Sequence, residues 1–192
     1  QSTRASILNL EGEILAQVSN PVSLMRHASN RVEQDARLLA MSVEGAVAQV
    51  LGQVPDSIRT SVEWCGIATQ RSTVVAWNDK GEPVSAAISW QDTRGREQVE
   101  RLGSHAAAIQ RCSGLPLSAH YGASKLRWLM DHGAIGRDAR LGPLSSYLLS
   151  RISDCETVLV DHANAQRMQL LDINSLRWSE PLAQLFGIPL AL

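Results

Sequence analysis

A chain of 192 residues with 44% hydrophobic and 19% charged side chains has the length and make-up of one ordinary globular domain, or of two very small ones. Its formal net charge of −1 at pH 7 gives no electrostatic hold on nucleic acid or an anionic membrane, and no apolar run approaches the ~20 residues that cross a bilayer. Three scattered cysteines (Cys65, Cys112, Cys155), odd in number and without a C-x-x-C pair, argue against a zinc site or a disulfide framework and predict a reduced, cytoplasmic setting.

The chain opens on Gln1 rather than Met and shows no signal-peptide pattern, so its natural beginning is expected upstream. Ser6 to Val18 reads as two strands about the turn Glu11-Gly12-Glu13, with Gln1 to Arg4 leading in. Asn30 and Glu33 have the spacing of a capping box. After them Val32, Ala36, Leu39, Val43, Val47, Val50 and Leu51 mark one face of a helix that Gly52 and Pro55 end. Strands are predicted over 62–68, 73–77 and 84–90, with a turn at Asn78-Asp79-Lys80-Gly81. The remainder is mainly helical. Pro143 suits the first position of a helix that buries Leu144, Tyr147, Leu148 and Ile152. Thr157 to Val160 reads as a short strand, and Ser179-Glu180 opens a last helix. The apolar end, Gly187 to Leu192, has no terminating signal and is expected to continue. With no internal repeat, the order of elements predicts a single α/β domain.

The common catalytic templates are missing. There is no G-x-x-x-x-G-K-[ST], no G-x-G-x-x-G and no G-x-S-x-G, and the five histidines never fall in a metal-ligand spacing. Four strings in order carry more information: Gly66-Ile67-Ala68-Thr69-Gln70-Arg71-Ser72-Thr73; Ile88-Ser89-Trp90-Gln91-Asp92-Thr93-Arg94; Ser113-Gly114-Leu115-Pro116-Leu117 leading to Ser124-Lys125-Leu126-Arg127-Trp128-Leu129; and Val160-Asp161-His162-Ala163-Asn164-Ala165-Gln166-Arg167. Together they resemble the N-terminal domain of the FGGY family of carbohydrate kinases, which includes glycerol kinase and xylulokinase. The resemblance covers essentially the whole chain.

That resemblance implies an actin-like, ribonuclease H-like ATPase fold, with residues 1–192 forming the sugar-binding domain of a two-domain enzyme. The first strand is expected to be missing, as is the C-terminal ATP-binding domain. It implies ATP and magnesium as cofactors, a small sugar or polyol as substrate, and no nucleic-acid or membrane partner. Arg71 matches a substrate-contacting arginine. Ser72 stands where glycerol kinases carry a glutamate, which turns the expectation away from glycerol itself. Trp90 matches a tryptophan that lies against the substrate's carbon face. His120 falls at the place of a substrate-contacting tyrosine, with Tyr121 as the neighbouring alternative. Thr3 and Arg4 resemble the end of a phosphate-binding hairpin, and Gln91, Asp92, Arg94 and Asp161 read as support. The magnesium-side aspartate and the catalytic base are expected outside the chain, so no catalytic or metal residue is assigned within it. The chain alone is then expected to phosphorylate nothing and to be marginally stable or to self-associate, with a homo-oligomer left open. One alternative is a non-catalytic, kinase-like binding module. Another is a different actin-like ATPase, against which Arg71 and the Trp90 string speak.

Overall fold

The computed structural model describes residues 1–27, 30–133, 135–136, 139–153 and 158–190. Gly12, at φ +83°, makes the turn of the opening hairpin, a conformation that glycine adopts without steric cost. Strands β1 (Ser2–Leu8) and β2 (Ile14–Pro21) pair antiparallel from Ser2↔Pro21 to Leu8↔Ile14. The first strand therefore starts at Ser2, earlier than the apolar pattern suggested, because the polar residues Ser2 to Arg4 find partners across the hairpin.

After β3 (Met25–Arg26) and β4 (Val32–Gln34) comes helix α1 (Ala36–Leu51). Asn30 and Glu33 do not cap it. The cap is Asp35, whose carboxylate accepts the Leu38 N–H at 3.0 Å. Glu33 lies in β4, and its carboxylate accepts from the Arg94 guanidinium at 2.6 Å. Gly52 ends α1, and Pro55 precedes the single turn α2 (Asp56–Arg59). Residues 62–68, expected as a strand, are exposed and have no ladder partner among the described residues. An apolar run becomes a strand only where a neighbouring backbone satisfies it.

Strand β5 (Val74–Trp77) and the turn at Asn78–Gly81 form as expected. Strand β6 (Ala87–Ile88) is shorter than the predicted 84–90, because only these two residues join the ladder, both against β4 and Ile88 also against Val74 of β5. Helices α3 (Arg96–Arg101), α4 (Ala106–Ser113) and α5 (Gly122–His132) follow. Strand β7 (Arg140–Pro143), unmarked in the sequence, pairs along the whole of β5. Pro143 ends that strand and precedes α6 (Leu144–Ile152), which buries Leu144, Tyr147 and Leu148 but leaves Ile152 42% exposed. Val158 to Val160 form no strand, and Thr157 lies outside the described residues. Next come α7 (His162–Gln166), the two-residue strands β8 (Leu171–Asp172) and β9 (Arg177–Trp178), and α8 (Glu180–Phe186), which Ser179 caps. Cys65 and Cys112 are free thiols; Cys155 lies outside the described residues.

The main sheet has the order β3-β4-β6-β5-β7, and all of its pairings are antiparallel. Helices cover both faces, so Val74, Val75, Ala76 and Trp77 are all fully buried and β5 reads as an unbroken apolar run. The two-residue period of a strand sorts them. Val74 and Ala76 join Ile109, Leu126, Leu129 and Phe186 in one core, under α4, α5 and α8. Val75 and Trp77 join Leu39, Leu144 and Tyr147 in the other, under α1 and α6.

Candidate functional site

The turn into β5 carries Arg71 and Ser72. Arg71 is exposed and makes no ion pair or hydrogen bond among the described residues. Ser72 has φ +65°, a left-handed conformation that costs a non-glycine residue ~1 kcal/mol. Its side chain is fully buried and its hydroxyl has no hydrogen-bond partner among the described residues, a further cost of ~1–3 kcal/mol. The next residue, Thr73, is equally buried and makes two long-range bonds. Its hydroxyl accepts the Trp90 N–H at 3.0 Å, and its carbonyl accepts the Leu144 N–H at 2.9 Å. The strand end thereby fixes the backbone of Trp90, a residue that is 37% exposed.

The loop before α5 supplies the opposite wall. The first two amides of α5, Gly122 and Ala123, donate to the carbonyls of Arg167 and Met168 at 3.0 and 2.8 Å. A Cβ on Gly122 would stand 2.4 Å from the Met168 sulfur, so only glycine lets α5 come this close. The His120 ring meets the Trp90 ring edge-to-face at 5.7 Å and the Tyr121 ring at 5.2 Å. Burial lowers the His120 pKa below the usual 6.5, and the positive charges of Lys125 and Arg167 lower it further. At neutral pH the ring is therefore neutral, with one N–H donor and one acceptor nitrogen. Tyr121 is 8% exposed beneath the Arg167 guanidinium, which leaves His120 as the more open of the two neighbours.

Lys125 joins the two walls. Its side chain is fully buried, and its Nζ donates to the carbonyls of Ser72 at 2.9 Å and His120 at 2.7 Å. Burial lowers its pKa to about 7; Asp92 opposes the shift and Arg94 adds to it. Sequence reasoning assigned Lys125 and Thr73 no role. A signal existed for Lys125: it lies one helical turn before Leu129, on the face that packs into the core.

Asp92, fully buried, accepts the N–H groups of Val32 and Arg94 at 2.6 and 2.8 Å and pairs with the Arg94 guanidinium. Burial alone would lower the Arg94 pKa, but hydrogen bonds to Asp92 and Glu33 outweigh it and raise the value. The Arg94 guanidinium also lies 4.6 Å from the centre of the Trp128 ring. Gln91 holds Arg26. Asp161 caps α7 and accepts from the Asn164 side chain at 2.7 Å, and Thr69 reaches the Asn164 amide oxygen at 3.4 Å.

Thr3 and Arg4 lie elsewhere, in β1 opposite Asn20 and Ser19. The start of that strand is nevertheless tied to the Arg71 turn by glutamines. Gln70 donates to the Gln34 side-chain oxygen, and Gln34 donates to Gln1 at 3.1 Å. Among the described residues no group of three His, Cys, Asp or Glu side chains is placed to hold a metal ion, and no helix is long and apolar enough to cross a membrane.

Proteins similar to this chain are carbohydrate kinases. The glycerol kinase of Geobacter sp. (strain M21) is 36% identical over 98% of the chain, and that of Acidovorax ebreus (strain TPSY) is 33% identical over its full length. The chain spans about 40% of the length of each. Among solved structures, Plasmodium falciparum glycerol kinase with ADP superposes with a TM-score of 0.84 at 24% identity, over 97% of this chain and 39% of that one. The xylulose kinase of Lactobacillus acidophilus gives 0.86 at 17% identity, over 98% of this chain and 38% of that one. These likenesses establish the actin-like, ribonuclease H-like fold. The family model for the N-terminal domain of the FGGY carbohydrate kinases matches residues 1–192 from end to end, and the chain belongs to that family.

Proposed function

We propose that this chain is the sugar- or polyol-binding domain of an ATP-dependent carbohydrate kinase, with Arg71, Ser72, Trp90 and His120 as its substrate contacts. The observation that carries the proposal is the convergence of the partly exposed Trp90 with the neutral His120 ring at 5.7 Å, beside the turn that presents Arg71. A carbon chain bearing hydroxyls needs an apolar face to lie on and donors along its edge, and these residues supply both. Arg71 offers a fork of N–H groups to adjacent hydroxyls. His120 offers one donor and one acceptor. The Ser72 hydroxyl, buried at the back of the turn, has no hydrogen-bond partner among the described residues and so keeps its donor and acceptor capacity.

Thr3 and Arg4 are proposed to face the nucleotide's phosphates, near the substrate end of the domain through the Gln1-Gln34-Gln70 link. The second domain would hold most of the ATP. Magnesium would neutralise charge on the transferred phosphoryl group when bound, and its aspartate and the catalytic base are proposed to lie outside residues 1–192. The residues described here bind and orient the substrate and perform no proton transfer. A small-molecule substrate and a cytoplasmic setting complete the reading.

The test uses the protein that carries this chain, incubated with ATP, magnesium and a panel of polyols and ketoses. The expected result is phosphorylation of one class, with the sugar KM raised at least about tenfold in Trp90→Ala and Arg71→Ala, in keeping with lost substrate contacts. No phosphorylation of any compound, or an unchanged KM in both variants, overturns the proposal.

A further inference from the structure

We infer that Lys125 is a positioning residue for substrate binding: its two hydrogen bonds set the separation between the Arg71–Ser72 turn and the His120 loop. The inference rests on the kinase reading above and deepens it. Three facts point to it. Lys125 has no exposed surface, and its Nζ is taken up by two main-chain carbonyls rather than left open toward a ligand. Its partners are two main-chain carbonyls, of Ser72 and His120, at 2.9 and 2.7 Å, and no carboxylate lies within ion-pair distance among the described residues. Those carbonyls belong to the two segments that carry three of the proposed contacts, 53 and 5 residues away along the chain.

An ammonium group is among the least favourable side chains to bury without a charged partner. An unbranched apolar side chain would fill the same space at lower cost but would join nothing. What the amine adds is a bridge across two loops that have no direct hydrogen bond to each other among the described residues. Its effect is local in direction. Ser72 is held by its carbonyl in the left-handed conformation that turns Arg71 outward, while His120 is held by its carbonyl with its ring against Trp90. The charged groups around the bridge are Asp92 and Arg94 from the loop after β6 and Arg167 from the end of α7, with His120 itself. None of them replaces its two donors.

The experiment compares wild type, Lys125→Met and Lys125→Arg in the protein that carries this chain, measuring kcat, sugar KM and ATP KM together with the thermal melt. Methionine removes both donors; arginine keeps donors and charge on a different frame. The expected result is a sugar KM raised about tenfold in Lys125→Met, with ATP KM and kcat within about twofold, and an intermediate sugar KM in Lys125→Arg, the pattern of lost substrate binding. A folded Lys125→Met with an unchanged sugar KM overturns the inference while the kinase reading stands. So does a parallel loss in kcat and both KM values, which marks a general structural role. Should Lys125→Met fail to fold, the sugar KM of Lys125→Arg decides, and a value equal to wild type overturns the inference. A wild-type protein that phosphorylates nothing in the panel overturns the inference and the kinase reading together.

Discussion

His120 illustrates how surroundings set the chemistry of a single residue. Its pKa is lowered by burial first, and by Lys125 and Arg167 after that. The consequence for stability has a definite sign. Above about 6.5 the ring is neutral in both the folded and the unfolded chain, and no proton distinguishes them. As pH falls below that value the unfolded chain takes up the proton first, so folding loses stability until the folded ring protonates as well. The expected outcome is a melting midpoint that falls more steeply from about pH 7 to about pH 5 in wild type than in His120→Asn. Parallel profiles would show that the ring titrates alike in both states. Lys125 repeats the lesson with the opposite appearance. Its place in the sequence reads as an ordinary helix cation, and only the packing of α5 against the β5 turn reveals that it is fully enclosed.

Elements differ in how far they announce themselves. Helix α1 was legible from its apolar spacing, and the hairpin from Gly12, because both signals lie within a few neighbouring residues. The cap of α1 was misread by two strong local signals, Asn30 and Glu33, which tertiary contacts engage elsewhere. The structure gives the cap to Asp35. Asp35→Ala should therefore lower stability by about 1 kcal/mol in urea unfolding. Asn30→Ala, measured in the same way, should leave the start of α1 intact by amide exchange; loss of protection over the first turn of α1 in that variant would restore the earlier assignment. Strand β7 was illegible for a different reason. Its sequence, Arg140-Leu141-Gly142-Pro143, has no strand pattern of its own and is held entirely by β5, more than sixty residues earlier. The reverse holds for residues 62–68, whose apolar content predicts a strand that no described neighbour completes. The proposed substrate contacts follow the same division. The motif resemblance points to Arg71, Trp90 and His120, whereas the bonds that link their segments come from Thr73 and Lys125, which act at long range.

At the scale of the whole molecule the apolar surface is uneven. Leu8, Leu10, Ile14 and Leu15 gather at the far end of the hairpin, all exposed, and Trp64 stands 89% exposed within the unpaired stretch. Surfaces of this kind seek cover. The 192-residue chain by itself is therefore expected to elute from size exclusion larger than its mass, with Leu10→Glu and Trp64→Glu together shifting it toward the monomer. A monodisperse monomer with a cooperative melt above ~55 °C, typical of mesophile domains, would contradict this.

Strand β5 lies between two cores and supplies alternate residues to each. A slip of one position in its pairing with β7 would send Trp77 and Val75 toward the helices that now receive Ala76 and Val74, exchanging a large ring for a methyl group on both sides at once. Each core thus vetoes the alignments that the other might tolerate. Because the Arg71–Thr73 turn leads directly into this strand, that shared veto also fixes the frame in which the proposed substrate contacts stand. A deleted residue between Ser72 and Val74 would be felt in both cores, whereas one in the exposed stretch before Thr69 would be absorbed.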